Sequence, residues 1–258
     1  MQKTLEFIEL NQDIMKYKLR LKNTQFIVLI QPGTIQKLAD WVNPKTEFVL
    51  IVNATAGFLE KKILEKNKTL AIPVTAEFRE LLSEKLPGLE LPSSLKELQG
   101  REIQQAILQG MPAKGVKDQV LELVKLNIWR ALLLLPLGIA DEVNSFAGAP
   151  DYTELSVFVQ TFYTIEEREK LSAQDFFPVP MSQYRVLELT KRTRKEKLDI
   201  DEYFIFLQKI MRSKKSDVRN ALEKNKLKAG KVSEDLLGEK VMLLEPAEFL
   251  GLFTRLQD

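Results

Sequence analysis

The stretch FVLIVNATAGFLEKKILEKNKTLAIPV, residues 48–74, decides the fold. It begins with an apolar run, Phe48 to Val52, that has the length and continuity of a strand buried on both faces. After a turn, four apolar residues recur at helical spacing among charged ones: Phe58, Leu59, Ile63 and Leu64. A second apolar run, Leu70 to Val74, completes the pattern. This order predicts a βαβ unit of the nucleotide-binding type, although its turn contains a single glycine where such turns need two or three.

The same alternation continues through the first 190 residues. Further strand-like runs are Ala131 to Ala140, Leu155 to Phe162 and Tyr184 to Leu189. Phe78, Leu81 and Leu82 form a second helical stripe. Strands that alternate with helices predict parallel crossovers and a doubly wound α/β sheet.

The pattern changes after Leu189. The charged connector TKRTRKEKLDIDE, residues 190–202, leads into segments with helical periodicity and no strand signal, and Pro246 fits a first helical turn. We therefore predict two domains, an α/β domain at residues 1–191 and an all-helical domain at residues 192–258.

Composition excludes several kinds of chemistry. The 258 residues include no cysteine and no histidine, which removes disulfides, thiolate nucleophiles, imidazole bases and zinc sites built on these residues, and we expect no metal. The amino-terminal residues resemble neither a secretory signal nor a transit peptide, and the longest apolar run is about half of the ~20 residues that a membrane span needs. We expect a cytoplasmic protein without a membrane partner.

Positive charge is concentrated late in the chain. Between residues 185 and 231 there are fifteen Lys or Arg and seven Asp or Glu, a balance of +8, whereas the net charge of the whole chain is +2. This asymmetry favours a polyanionic partner, and an ordinary solvated helix surface is the alternative.

Several late segments resemble one known family. YTELSVFVQTFY (152–163), DFFPVPMSQYRVLELT (175–190) and MRSKKSDVRNAL (211–222) are similar, in order and spacing, to segments of the ribosomal RNA adenine dimethyltransferases, a family that includes the mitochondrial transcription factor B proteins. LLEPAEFLGL (243–252) is similar to the family's closing helix. The resemblance implies a Rossmann-like fold of the S-adenosylmethionine-methyltransferase class followed by a small helical domain.

The resemblance also identifies the cofactor turn, which has the form E-I-G-x-G-x-G in the family. Asn53, Thr55 and Gly57 stand at the three glycine positions. Only the last glycine is kept, and the β-branched Thr55 resists positive φ and fills space that a cofactor would need. We expect a turn without a ligand, with a rebuilt cofactor site that uses the side chains of Asn53 and Thr55 as the alternative.

Two further cofactor positions are changed. The acid that holds the ribose hydroxyls in the family aligns with Pro73, which has neither a carboxylate nor an N–H, although Glu77 follows one helical turn later. The family's G-D pair, whose acid meets the adenine amine, aligns with Gly100-Arg101.

The catalytic motif N-[LI]-P-[YF] aligns with Gly110, Met111, Pro112 and Ala113. Pro112 is kept, but Gly110 supplies no amide and Ala113 no aromatic ring to hold an extruded adenine. The expected catalytic residues are therefore absent, and we expect no bound cofactor.

The resemblance places the basic end of a helix against nucleic acid. Arg212, Lys214, Lys215 and Arg219 are the expected contacts, since phosphate binding needs only Lys or Arg at loose spacing. Five aromatic residues fall on apolar stripes and are expected in the core instead: Trp41, Trp129, Tyr203, Phe204 and Phe206.

Three functions remain open at this point. The first is a catalytically inactive relative of the dimethyltransferases that binds RNA, with ribosomal RNA in small-subunit assembly as the expected ligand. The second is a protein-interaction module that resembles transcription factor B. The third is an active S-adenosylmethionine-dependent rRNA adenine dimethyltransferase with an unusual site.

Overall fold

The computed structural model describes residues 5–19, 21, 26–110, 115–193 and 198–257. Its strands are β1 (Val28–Leu29), β2 (Phe48–Ala54), β3 (Lys68–Pro73), β4 (Gln105–Gln109), β5 (Arg130–Pro136), β6 (Tyr163–Leu171), β7 (Phe176–Phe177) and β8 (Tyr184–Lys191). Its α-helices are α1 (Leu5–Lys16), α2 (Pro32–Trp41), α3 (Phe58–Leu64), α4 (Ala76–Lys85), α5 (Val116–Lys125), α6 (Leu137–Val143), α7 (Glu154–Phe162), α8 (Ile200–Met211), α9 (Val218–Lys224), α10 (Glu234–Gly238) and α11 (Pro246–Gln257).

Six strands form one sheet in the order β3-β2-β4-β5-β8-β6. The neighbours β3, β2, β4 and β5 run parallel, and β8 pairs antiparallel with β5. The predicted α/β Rossmann-like class is confirmed, with an antiparallel strand beyond the parallel ones. The chain leaves β2 for β3 on one side and later returns to β4 on the other, so the topological switch lies between the carboxyl ends of β2 and β4.

The chain divides into two compact units. An α/β unit comprises residues within 1–140 and 166–191, and a helical unit comprises residues 141–165 and those within 192–258. The change of unit after Lys191 coincides with the predicted domain boundary. Residues 141–165, however, were predicted in the first domain and belong to the helical unit, because α7 packs against α8 and α11.

One predicted strand is wrong. Leu155 to Phe162 lies in helix α7, which a reciprocal capping box between Thr153 and Ser156 begins. Most of this helix is buried, so its apolar run lacks the polar face that would have indicated a helix. Strands β1, β4, β6 and β7 were not predicted, and the run from Ala131 to Ala140 ends as a strand at Pro136, where α6 follows.

The described part of the chain has neither a membrane-spanning helix nor a cluster of metal ligands. No helix there has both the length and the apolar character to cross a bilayer. The same residues contain no group of three or more acidic side chains arranged to hold a metal ion.

Candidate functional site

The turn between β2 and α3 is shaped by two residues with positive φ. Asn53 has a φ of 61°, which asparagine tolerates better than most residues, and Gly57 has a φ of 86°. A Cβ atom on Gly57 would also lie 3.2 Å from the Cδ2 atom of Leu82 in α4. The one retained glycine therefore serves backbone geometry and helix packing.

Asn53 is bonded to the neighbouring strand and helix. Its Nδ2 donates to the carbonyl of Gln109 and to the Oε1 of Gln119, both at 2.8 Å. In return, the Nε2 of Gln119 donates to the Oδ1 of Asn53 at 2.8 Å. The amide at the first glycine position is thus fully used in joining β2 to the end of β4 and to α5.

The buried carboxylate of Glu60 bonds to the backbone of the turn. The Oε1 of Glu60 accepts hydrogen bonds from the backbone N–H of Thr55, at 3.2 Å, and from the Nε2 of Gln109, at 3.0 Å. Glu60 is only 1% exposed, and its burial raises the pKa of the carboxyl against the opposing effect of these hydrogen bonds. All turn residues from 53 to 57 are themselves buried.

Sequence analysis assigned no role to Glu60 and counted it only as one of the charged residues among the apolar positions of α3. A signal was available, because Glu60 follows Ala56 by four residues and precedes Ile63 by three, which puts it on the buried face.

The side chain of Lys85 links helix α1 to the turn. The Nζ of Lys85 donates to the carbonyl of Ala56 at 3.1 Å and pairs with the carboxylates of Asp13, at 2.9 Å, and Glu9, at 2.6 Å. Its ammonium also lies 4.8 Å from the ring centroid of Phe58. The turn is therefore bonded to Glu60 through the N–H of Thr55 and to Lys85 through the carbonyl of Ala56.

Pro73 lies where the family's ribose-binding acid was expected. It is the last residue of β3 and pairs with Ala54 of β2. On its other side, β3 forms one isolated parallel bridge, between Leu70 and Glu90. Pro73 has no carboxylate, and Glu77 is exposed in the first turn of α4.

The assignment of Arg101 is corrected by the topology. Arg101 precedes the start of β4, and its guanidinium lies 5.7 Å from the ring centroid of Phe48, the first residue of β2. It is also paired with Glu90. Arg101 thus lies at the amino ends of the parallel strands, opposite the edge that carries Pro73 and Gly110.

Gly110 follows β4 directly and lies beside β5. Its N–H donates to the carbonyl of Leu134 at 2.7 Å, and a Cβ atom at this position would lie 2.2 Å from that same oxygen. The carbonyl oxygen of Leu134 therefore occupies the space that the Cβ atom of an asparagine at position 110 would need. Met111, Pro112 and Ala113 lie outside the described residues.

The structure divides the four predicted phosphate contacts into two pairs. Lys214 is half-buried, and its ammonium donates to the carbonyls of Pro150 and Tyr152, at 2.9 and 3.3 Å. Arg219 is exposed but paired with Glu234. Arg212 and Lys215 are exposed in the α8–α9 turn with no ion pair to another described residue.

One aromatic prediction is also wrong. Tyr203 and Phe206 are buried as expected, and Trp41 is half-buried with its Nε1 donating to Glu188 at 2.9 Å. Trp129, in contrast, is 55% exposed. Trp129 lies directly before β5, outside the buried run Ala131 to Leu135 of that strand.

The fold defines the class of protein, a Rossmann-like α/β domain of the S-adenosylmethionine-methyltransferase class. A family model described as ribosomal RNA adenine dimethylase matches residues 110–258, more than half of the chain. The chain therefore belongs to the ribosomal RNA adenine dimethylase family, and the resemblance drawn from its sequence is confirmed.

Relatives of known name agree with this family. The chain is 23% identical over 239 residues to ribosomal RNA small subunit methyltransferase A of Sulfurihydrogenibium sp. (strain YO3AOP1), covering 87% of this chain and 92% of the relative. It is 24% identical over 262 residues to the probable methyltransferase A of Thermococcus gammatolerans, covering 95% and 92%.

Two solved structures share the fold. A dimethyladenosine transferase from Plasmodium falciparum superposes with a TM-score of 0.73 at 16% identity, covering 89% of this chain and 97% of the other. The 23S rRNA methyltransferase ErmE superposes with a TM-score of 0.61 at 19% identity, covering 89% and 99%.

Proposed function

We propose that this chain is a catalytically inactive member of its family that binds RNA, with the ribosomal RNA of the small subunit as its ligand. The single observation that carries the proposal is the filled turn. The Glu60 carboxylate holds the N–H of Thr55, and Asn53 is bonded to Gln109 and Gln119, so the groups of this turn bond to the chain itself.

The residues present do not fit S-adenosylmethionine. The second glycine position is a buried threonine, the ribose position is Pro73, and backbone stands where a catalytic side chain at position 110 would be. Methyl transfer depends on holding a sulfonium and an amine in line, so the loss of the positioning groups removes most of the rate enhancement.

Support for RNA comes from the exposed cations and from the relatives. Arg212 and Lys215 are exposed without an ion-pair partner among the described residues, which leaves two cations available to phosphates. Curated relatives carry the name ribosomal RNA small subunit methyltransferase A. The same RNA is therefore the first ligand to test.

Filter binding to structured small-subunit rRNA fragments across salt concentrations tests the RNA part. Arg212→Gln with Lys215→Gln removes two phosphate contacts and is expected to reduce the slope of log K against log salt by about 1.8 on duplex RNA, if the ~0.9 per contact of B-DNA applies. Lys45→Gln with Lys96→Gln makes the same charge change at exposed positions elsewhere and is expected to leave the slope unchanged. Equal slopes for both double variants would remove the α8–α9 turn from the interface.

A further inference from the structure

A cavity lies in the α/β unit, at the amino ends of β4 and β5. Its volume is about 650 Å³, within the ~300–1,000 Å³ range of small-ligand pockets. Trp129, Lys191 and three side-chain amides, those of Gln99, Gln104 and Asn127, contribute to its wall. The filled turn is at the opposite, carboxyl end of the parallel strands.

Trp129 contributes an exposed aromatic ring to this cavity. Its carbonyl accepts the N–H of Lys191 at 2.9 Å, which continues the β5–β8 pairing and fixes the backbone beside the ring. More than half of the residue is exposed, although tryptophan is highly buried on average. An exposed indole on a fixed backbone is available for stacking.

The cavity wall contains three cations and one acid, but two of the cations are paired with acids beside the cavity. Arg101 is paired with Glu90 and Lys125 with Glu122, while Glu102 and Lys191 carry opposite charges. Because these ion pairs offset the positive charge, the cavity gives little attraction for a phosphate. Amide groups beside an aromatic ring instead suit a neutral, planar group with hydrogen-bonding edges.

We propose that this cavity binds one unstacked base of single-stranded RNA, with Trp129 stacking on the base and the neighbouring amides bonding to its edge. Recognition of single-stranded RNA uses this combination, because every base has a π face for stacking and an unpaired base has free edges for hydrogen bonds. The inference rests on the proposed RNA-binding function and adds a contact of a different kind from the Arg212 and Lys215 phosphate contacts.

The test compares Trp129→Ala and Trp129→Phe with wild type on a single-stranded RNA oligonucleotide and on the same sequence as a duplex. Trp129→Ala is expected to weaken single-strand binding about 5-fold or more, with an unchanged salt slope and unchanged duplex affinity. Trp129→Phe keeps an aromatic ring and is expected to retain most of the affinity. Phe146→Ala removes an aromatic residue that is 71% exposed in the helical unit and serves as the matched control.

Tryptophan fluorescence gives a second readout that does not depend on the alanine variant folding. The oligonucleotide is expected to quench the emission of wild type and not that of Trp129→Phe, in which Trp41 is the remaining indole. Adenosine monophosphate is titrated in parallel to separate a free nucleotide from a base within RNA.

Three results would overturn the proposal. Single-strand affinity that is unchanged in Trp129→Ala excludes the cavity while leaving the proposed function intact. Saturable binding of the mononucleotide that needs Trp129, without any effect of Trp129 on the oligonucleotide, assigns the cavity to a free nucleotide. Wild type that binds no RNA of either kind contradicts both the cavity and the proposed function.

Discussion

At the scale of single residues, the packing around Gly110 leaves no room for a side chain. A side chain there meets a carbonyl of β5 rather than open space, so the backbone must move before any residue other than glycine fits. The packing of β4 against β5 therefore leaves no space for an asparagine side chain at position 110.

Gly110→Ala is expected to lower the free energy of unfolding by about 2–3 kcal/mol, because over-packing forces a backbone shift. Gly33→Ala is the control, since nothing lies within 4 Å of a Cβ atom at that position in α2. Urea denaturation measures both variants. Gly110→Ala with the stability of Gly33→Ala would show that the end of β4 has room for a side chain.

Glu60 makes the stability of the α/β unit depend on pH. Burial raises the pKa of Glu60 in the folded state above the value of about 4.3 in the unfolded chain. The folded protein then binds the proton more tightly, so this contribution to stability is complete below about pH 4.3 and is lost as pH rises through the folded-state pKa.

Glu60→Gln keeps the oxygen that accepts from Thr55 and Gln109 and removes the ionisable group. We expect its melting temperature at pH 7.5 to exceed that of wild type by roughly 2–4 °C, equivalent to about 1 kcal/mol for a chain of this size. The difference should shrink toward pH 4. Glu65→Gln, exposed at the end of α3, should match wild type throughout. A lower melting temperature for Glu60→Gln at pH 7.5 would contradict the raised pKa of Glu60.

The sequence alone shows where this chain lacks a functional group that the family has at the aligned position. Pro73 lacks a carboxylate and Gly110 lacks an amide wherever the chain places them. Interactions that form only when distant segments meet in the fold could not be predicted in this way. The bond between Asn53 and Gln119 joins residues 66 positions apart, and the backbone bond between Lys191 and Trp129 joins residues 62 positions apart.

At the scale of elements, α1 is joined to the turn through Lys85. This side chain is 21% exposed, and its partner Asp13 is 13% exposed, so their ion pair is partly shielded from water. The pair between Lys16 and Glu84 joins the same two helices, but its side chains are 57% and 58% exposed.

Lys85→Met keeps the aliphatic stem against Phe58 and removes the charge. It is expected to cost about 1.5–3 kcal/mol, because Asp13 and the carbonyl of Ala56 lose a charged donor. Lys16→Met is expected to change stability little, since exposed ion pairs contribute little. Chemical denaturation compares the two, and equal losses would mean that burial does not separate these pairs.

Elements were predictable where periodicity was complete. Helices α3 and α4 show an apolar stripe among charged residues, β2 begins with a continuous apolar run, and β3 and β8 are rich in apolar residues. The prediction for α7 was wrong because most of this helix is buried, so its sequence has no polar face. Strand β6 was missed because exposed charged residues fill its middle, as in TIEEREK at 164–170.

At the scale of the whole molecule, the fold and the family could be predicted because both depend on long patterns. The alternation of strands and helices extends over most of the chain, and the late segments match the family in order and spacing. Whether the site holds a ligand depends instead on a few buried contacts, namely those of Asn53, Glu60 and Lys85. These contacts support the central claim that the chain's own side chains bond to the groups that a methyl donor would need.

Calorimetric titration of wild type with S-adenosylmethionine tests that claim most directly, with an active family member as the positive control. We predict no saturable heat at concentrations up to about 1 mM, the upper end of the ordinary range for enzyme substrates. Saturable one-to-one binding at micromolar concentration would contradict the claim.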